Sequence, residues 1–311
     1  NMTDSIRVKA TGSVSNVSCG FDCLGYSLNE PGDEITLTKN SLGTIQITMS
    51  GIKSDKISCN PHQNTAGKAI MSMINYIENY SGYDLHIKKG IPPGSGIGSS
   101  ATSAVGAVFA LNQILGNPLK EDELVIHAVK GEEVASGCIH ADNVAPSLYG
   151  GMVLIRDDRE IDIINIPIPN SLWSIVILPE YTINTKYARQ LLPSDLPLKK
   201  SVTQAGNLAG FTIGCMTSNF DLISRSMKDL FAEPYRKILI PGYDEVKKSA
   251  LSNGAIGCGI SGSGPSMFAL STNKELAHKI AKGMQLNFKN FGLKSKSYIS
   301  KINKKKPQIL D

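Results

Sequence analysis

Polar and apolar residues alternate along Ser5–Ala10, the spacing of a half-buried strand, and the glycine-broken polar stretch Thr11–Leu28 predicts a loop after it. Glu34–Thr38 and Thr44–Met49 alternate again, and the turn Lys39–Gly43 between them predicts a strand pair. The period then changes. Ala69, Ile70, Met73, Ile74 and Ile77 recur at helical spacing within Ala66–Tyr80, with Gly82 as the stop. Tyr83–Lys88 returns to strand spacing and delivers the chain into PPGSGIGSSATSA, Pro92–Ala104. Beyond it, Ser100–Leu115 predicts a helix closed by Gly116 and Pro118. Lys120–Ser136 predicts a second helix, weakened by Gly131, and Val153–Ile155 and Ile161–Ile168 look extended.

Pro167, Pro169 and Asn170 interrupt the pattern and mark a linker. After it, Leu172–Leu178 is a predicted strand, and helical spacing follows around Lys186–Leu192, Ser201–Met216, Phe220–Lys228 and Asp244–Asn253. Ala255–Gly259 and Ser266–Leu270 flank a tight GISGSGPS turn, and Lys274–Met284 is a final amphipathic helix. No fixed-period repeat is present. The pattern therefore describes an α+β chain in two domains, 1–168 and 169–311.

Composition narrows the class. With 41% hydrophobic and 19% charged residues among 311, the chain has the make-up of a soluble globular protein able to bury a large core. The net charge of +5 is modest, and much of the excess lies in Lys294–Lys306, where Tyr298 is the only aromatic residue. A solvated basic tail fits that segment better than a nucleic-acid surface, which wants basic and aromatic residues interleaved. Cys19, Cys23, Cys59, Cys138, Cys215 and Cys258 form no C-x-x-C pair and no zinc spacing, as expected of thiols in a reducing compartment. No apolar run reaches membrane-spanning length, and no signal peptide is expected ahead of the first strand, so the cytoplasm is the expected location. Asn1, ahead of Met2, is set aside from the fold reading.

The Pro92–Ala104 segment carries the most chemistry. Its glycines leave backbone N–H groups unobstructed, and the helix behind it points a positive dipole end at whatever lies there, a combination suited to phosphate. It is not a Walker A loop, because the Gly-Lys-Ser/Thr ending is missing, and Gly94, Gly96 and Gly98 alternate instead of following the G-x-G-x-x-G fingerprint. The alternative is a glycine-rich turn capped by Ser99.

Three segments together, PPGSGIGSSATSA, VSNVSCGFDCLG (Val14–Gly25) and GCGISGSGPSMFAL (Gly257–Leu270), resemble the three motifs of the galactokinase, homoserine kinase, mevalonate kinase and phosphomevalonate kinase (GHMP) superfamily, in order and spacing. HADNVAPSLYGG (His140–Gly151) and TKYARQLLP (Thr185–Pro193) narrow the likeness to its homoserine-phosphorylating branch. The resemblance implies a first domain like the second domain of ribosomal protein S5, a ferredoxin-like second domain, and an active site between them. It further implies transfer of phosphate from ATP to homoserine on the way to threonine, with magnesium, by a homodimer. On this likeness Pro92, Pro93, Gly94, Ser95, Gly96, Ile97, Gly98, Ser99, Ser100, Ala101 and Thr102 hold the triphosphate, and Ser100 and Glu132 the magnesium. Asn60 and Asn64, in Cys59–Thr65, are candidates for reading the base. Asn16, Asp22, His140, Asn143, Thr185, Arg189 and Arg236 hold the amino acid, and Asn143, His140 and Arg189 act on the reacting groups.

Physical chemistry supports several of these roles. A carboxylate such as Asp22 suits an ammonium group, and the guanidinium groups of Arg189 and Arg236 suit a carboxylate, so an acid wall opposite a basic wall would read both ends of an amino acid. Several relatives carry an aspartate base where this chain has Asn143, and an amide takes no proton at neutral pH. No dedicated carboxylate base is therefore expected, Asp142 being assigned a different direction from its neighbour; Asn143 orients the hydroxyl, with His140 as the rival base. Two other functions compete: a kinase of another small alcohol, such as a mevalonate-type or sugar substrate, and a nucleotide-binding sensor without catalysis.

Overall fold

Two β-sheets share one apolar layer, and the cleft opens where loops from both meet. The computed structural model describes residues 4–136 and 140–310, so Cys138 lies outside the described residues. The first sheet contains β1 (Ser5–Ser15), β2 (Leu24–Asn40), β3 (Ile45–Gly51), β4 (Gly82–Lys89), β5 (Met152–Asp157) and β6 (Asp162–Ile166). Its helices are α1 (Thr65–Ile77), α2 (Ser99–Ile114), α3 (Glu121–Ser136) and α4 (Val144–Tyr149). The second sheet contains β7 (Trp173–Pro179), β8 (Gly257–Ile260), β9 (Met267–Ser271) and β10 (Ser295–Lys301). Around it lie α5 (Thr185–Gln190), α6 (Leu198–Thr217), α7 (Phe220–Ser226), α8 (Glu233–Arg236), α9 (Tyr243–Ser252) and α10 (Lys274–Asn290), and β11 (Gln308–Leu310) follows.

The second sheet has the order β10-β7-β9-β8 with every pair antiparallel, the ferredoxin-like arrangement. In the first, the path is β11-β1-β2-β4-β3, with β5 on β2 and β6 on β5. The expected hairpin between Glu34–Thr38 and Thr44–Met49 does not form. β4 lies between the two strands, antiparallel to β2 and parallel to β3, because a sheet buried by α1 and α2 gains more from a central Leu85 and Ile87 than from a short-range pair. Nor is Thr11–Leu28 all loop: β1 runs on to Ser15 and β2 starts at Leu24, leaving an eight-residue turn, 16–23.

The basic segment Lys294–Lys306 is likewise no solvated tail. Ser295–Lys301 is the edge strand β10, lysines outward, and the chain then crosses to the first sheet, where Arg7 pairs with Leu310 and Lys9 with Gln308.

α2 is buried nearly all round, and Gly106 lets it touch the sheet, since a Cβ there would stand 2.5 Å from Ile35 Cγ1. Val8, Leu37, Ile70, Val105 and Leu111 fill the layer between this sheet and its helices. Tyr26, Ile91 and Met152 of the first unit pack with Val176, Phe211 and Phe268 of the second. That shared core holds the walls of the cleft at a fixed spacing.

Candidate active site

The phosphate-loop segment takes the conformation its glycines allow. Gly94, Gly96 and Gly98 have φ of 67°, 82° and 73°, and Gly98, not Ser99, stands at the N-cap of α2 without a side-chain cap. Ser99 turns inward, its hydroxyl donating to the Ile91 carbonyl at 2.9 Å. A Cβ on Gly96 would meet the carbonyls of Ser261 and Gly264 at 2.6 and 2.7 Å, so only glycine lets the late GISGSGPS turn close against the loop. Ser261 donates to the Gly96 carbonyl at 2.8 Å and Ser266 to that of Ser95 at 2.6 Å. This late turn joins two strands, β8 and β9.

At the start of α2 the Ser100 hydroxyl donates to Glu132 Oε2 at 2.9 Å. Burial pushes the Glu132 carboxyl up to about 7, with Ser100 and the Lys89 charge pulling the other way. Neighbouring Glu133 faces Lys68 instead, at 3.2 Å. The Ser95 hydroxyl is buried and has no hydrogen-bond partner among the described residues, which leaves a donor at the cavity wall.

Behind the loop is a feature the sequence reading missed. Lys89 and Asp33, with side chains 1% and 0% exposed, form an ion pair. Lys89 also donates to the Ser99 carbonyl and to Ser103 Oγ, both at 2.9 Å, while Asp33 accepts from Ser103 at 2.7 Å and from the Gly90 backbone at 2.9 Å. Lys89 in phase with Tyr83, Leu85 and Ile87, and Asp33 in phase with Ile35 and Leu37, both on the buried side of alternating strands, were the available signal; 56 residues separate them.

On the opposite side, the expected acid and basic walls are not opposed but paired. Arg189 donates two hydrogen bonds to Asp22, at 2.9 and 2.7 Å, the bidentate geometry that a planar guanidinium and a carboxylate favour. Arg236 is 4% exposed and makes no ion pair among the described residues; it donates to the carbonyls of Ala188 and Gly262 at 3.3 and 3.2 Å. The Phe21 ring lies 5.0 Å from the Arg189 guanidinium and 5.5 Å from that of Arg236. Burial and the neighbouring Arg189 charge push Arg236 below its ordinary value, with the charges of Asp22, Asp229 and Asp142 pulling the other way. Asn16 does not face a ligand freely: its Oδ1 accepts from the Asp22 backbone at 2.9 Å and its Nδ2 donates to the Gly262 carbonyl at 3.0 Å.

Between the two ends lie Asn143, Asp142 and His140. Asn143 accepts from Ser13 at 2.9 Å, donates to Ser15 Oγ at 3.1 Å, and abuts Gly98, where a Cβ would stand 3.0 Å from its Oδ1. Asp142 does not point elsewhere. The pair opens the short helix α4 instead of an extended loop, and Asp142, 5% exposed, lines the same cavity. Burial, reinforced by the Asp22 charge, raises its carboxyl to about 7. Burial lowers His140 below its ordinary value, and its Nδ1 stands 3.7 Å from Asp22. Thr185 meets Ser263 at 3.2 Å on the far rim.

All of these surround one cavity of about 710 Å³, together with Pro93–Gly96, Gly98, Ser99, Ser100 and Glu132. Pro92, Ile97, Ala101 and Thr102 do not line it; the last three are packed inside the protein. The base-reading pair also needs correcting. Asn60 is off the cavity wall, and Asn64, though on it, is spent capping α1, accepting from Ala66 and Gly67 and donating to the Ser58 carbonyl. Met49, Lys53, Lys56, Ile57 and Gln63 line that arm of the cavity instead.

Comparison with known proteins agrees with this arrangement. Residues 64–151 match the model of the GHMP kinases N terminal domain and residues 200–290 that of the GHMP kinases C terminal. The chain is 42% identical to homoserine kinase of Chlorobium phaeovibrioides over 98% of its own length and 99% of the relative's. Its fold superposes on the crystal structure of homoserine kinase from Cytophaga hutchinsonii with a TM-score of 0.96 at 42% identity, over 100% of this chain and 98% of that one. L. major mevalonate kinase, crystallised with R-mevalonate, shares the fold alone, with a TM-score of 0.70 at 15% identity, over 95% of this chain and 96% of that one.

Proposed function

The chain belongs to the GHMP kinases, among the homoserine kinases, and from that premise we propose how its cleft moves the γ-phosphoryl group of ATP to the side-chain hydroxyl of homoserine. One arrangement carries the choice of an amino acid over another alcohol: a carboxylate, Asp22, and two guanidinium groups, Arg189 and Arg236, share one corner of the cavity, and Arg236 is buried there without an ion pair among the described residues. A charge so placed is costly unless an anion meets it, and the substrate's carboxylate is that anion. The substrate ammonium and carboxylate then replace the Asp22–Arg189 pair like for like, the ammonium taking Asp22 and the carboxylate joining both arginines. A mevalonate-type or sugar substrate has no cation to offer Asp22.

The triphosphate lies along the backbone of Gly94–Gly98 and the open end of α2, with Ser95 as a further donor. Ser100 and Glu132 are hard oxygen donors in contact at that end, and they fit magnesium, which takes its remaining ligands from phosphate and water. When bound, the ion neutralises charge on the transferring phosphoryl oxygens. Asn143, locked by Ser13 and Ser15, holds the substrate hydroxyl beside the loop. The proton leaves late, to an oxygen of the transferred phosphoryl group, because a loose transition state asks little of a base. A second reading follows from Asp142, whose buried carboxyl faces the same cavity and ionises near pH 7; in that reading it accepts the hydroxyl proton.

Five free cysteines among the described residues fit a reducing cytoplasm, and we place the working form as a homodimer with a domain division near residue 168. A coupled ADP-release assay with homoserine, serine, threonine and mevalonate tests the substrate. Turnover of homoserine far above the other three is expected; equal or faster turnover of mevalonate overturns the amino-acid reading, and no turnover of any leaves a nucleotide-binding sensor.

A further inference from the structure

α6 is apolar on two opposite sides. Its inner side buries Gln204, Phe211 and Cys215 against the core. Its outer side carries Leu198, Val202, Ile213 and Met216, which are 80%, 64%, 53% and 59% exposed, with exposed Ala205, Gly206 and Ala209 between them. At about 100° per residue these seven positions fall within an arc of about 100°, a continuous stripe with nothing among the described residues packed on it. A stripe of this kind differs from the scattered apolar residues of an ordinary surface.

Its order is a palindrome. Leu198 and Met216, and Ala205 and Ala209, are placed symmetrically about residue 207, and Val202 and Ile213 about a point half a residue further on, large residues outside and small ones at the centre. A two-fold contact needs that property, because residue i must meet j while j meets i. The charges agree with an antiparallel pair. Lys199 and Lys200 sit in the first turn, where a helix's own dipole disfavours cations, and neither makes an ion pair among the described residues. The last turn has no basic residue, and just beyond it the exposed Asp221 is paired with Arg225 at 3.5 Å. Set antiparallel, the lysines of one copy meet the negative helix end of the other.

We infer that the outer stripe of α6 is where two copies of this chain pair, helix against helix and antiparallel, with Val202 of each facing Ile213 of its partner. This rests on the homodimer reading and adds the surface. Sedimentation velocity on the full chain tests both. The native protein should run at twice the chain mass. Val202→Lys and Ile213→Glu, at exposed positions remote from the cavity, should each run as folded monomers, with dissociation constants raised at least 100-fold. Mixing the two variants should restore a dimer, because the introduced lysine of one copy then faces the introduced glutamate of the other, while at the second crossing Val202 still faces Ile213. A monomeric native protein overturns the homodimer and the surface together. Native and both variants all dimeric overturns the surface alone. Monomeric variants that stay monomeric on mixing overturn the antiparallel register.

Discussion

The two ends of the cleft are stabilised in opposite ways. At the nucleotide end the phosphate loop is held from behind by Lys89 and Asp33, a network closed off from solvent and complete without any ligand. At the amino-acid end, Asp22 and Arg189, the groups assigned to the substrate, satisfy one another at the cavity wall, about a quarter and a third exposed. One end is a rigid mould made of backbone. The other is a pair of side chains which, on the proposed function, exchange partners before the substrate is held, so that its affinity is expected to be a difference between two ion-pairing states.

The largest test of this contrast is Lys89→Met. Leaving Asp33 buried and unpaired should cost about 3–5 kcal/mol of stability in denaturant unfolding, and adding Asp33→Asn should recover much of the loss. A loss too small to measure would mean that the mould is not held by charge. Arg236→Ala should act at the other end, raising the homoserine KM by roughly 2–5 kcal/mol while the ATP KM stays close to native; equal changes in both would erase the distinction between the ends. Glu132→Gln should lower kcat by roughly 10²-fold or more and weaken magnesium activation in a folded protein. It should also change the stability profile. A carboxyl raised to about 7 by folding stabilises the nucleotide-free protein when protonated, so native stability falls as pH rises from the ordinary carboxylate range through 7, and the variant should lose about 1–3 kcal/mol of that slope. The smallest effect is assigned to Asp142→Asn. Turnover should persist within about tenfold. If the substitution also abolishes an acidic limb present in the native kcat profile, Asp142 is the base and Asn143 only its neighbour.

The same contrast explains what the sequence disclosed. Pro92–Ala104 is contiguous, its glycines report backbone conformation directly, and its role follows from local chemistry. Asp22 and Arg189 are 167 residues apart, and their types pointed to an amino acid while leaving open that they bind each other. Lys89 and Asp33 stayed hidden because a charged residue on the apolar side of an alternating strand does not announce its partner. Most strands were legible from period two, β10 and β11 excepted, but not neighbours: nothing local to Thr44–Met49 says that β4 will come between it and β2. Asp142 was misplaced because α4 is only six residues long, too short to show a period.

The short strand Gln308–Leu310 along the edge of β1 carries a consequence for biosynthesis. Emerging from the ribosome, β1 is made well before its cover, so the first sheet waits through the entire second one with an open row of backbone donors and acceptors. Throughout that interval nascent chains on one messenger can pair edge to edge, and the arrival of β11 closes the stretch Arg7–Lys9.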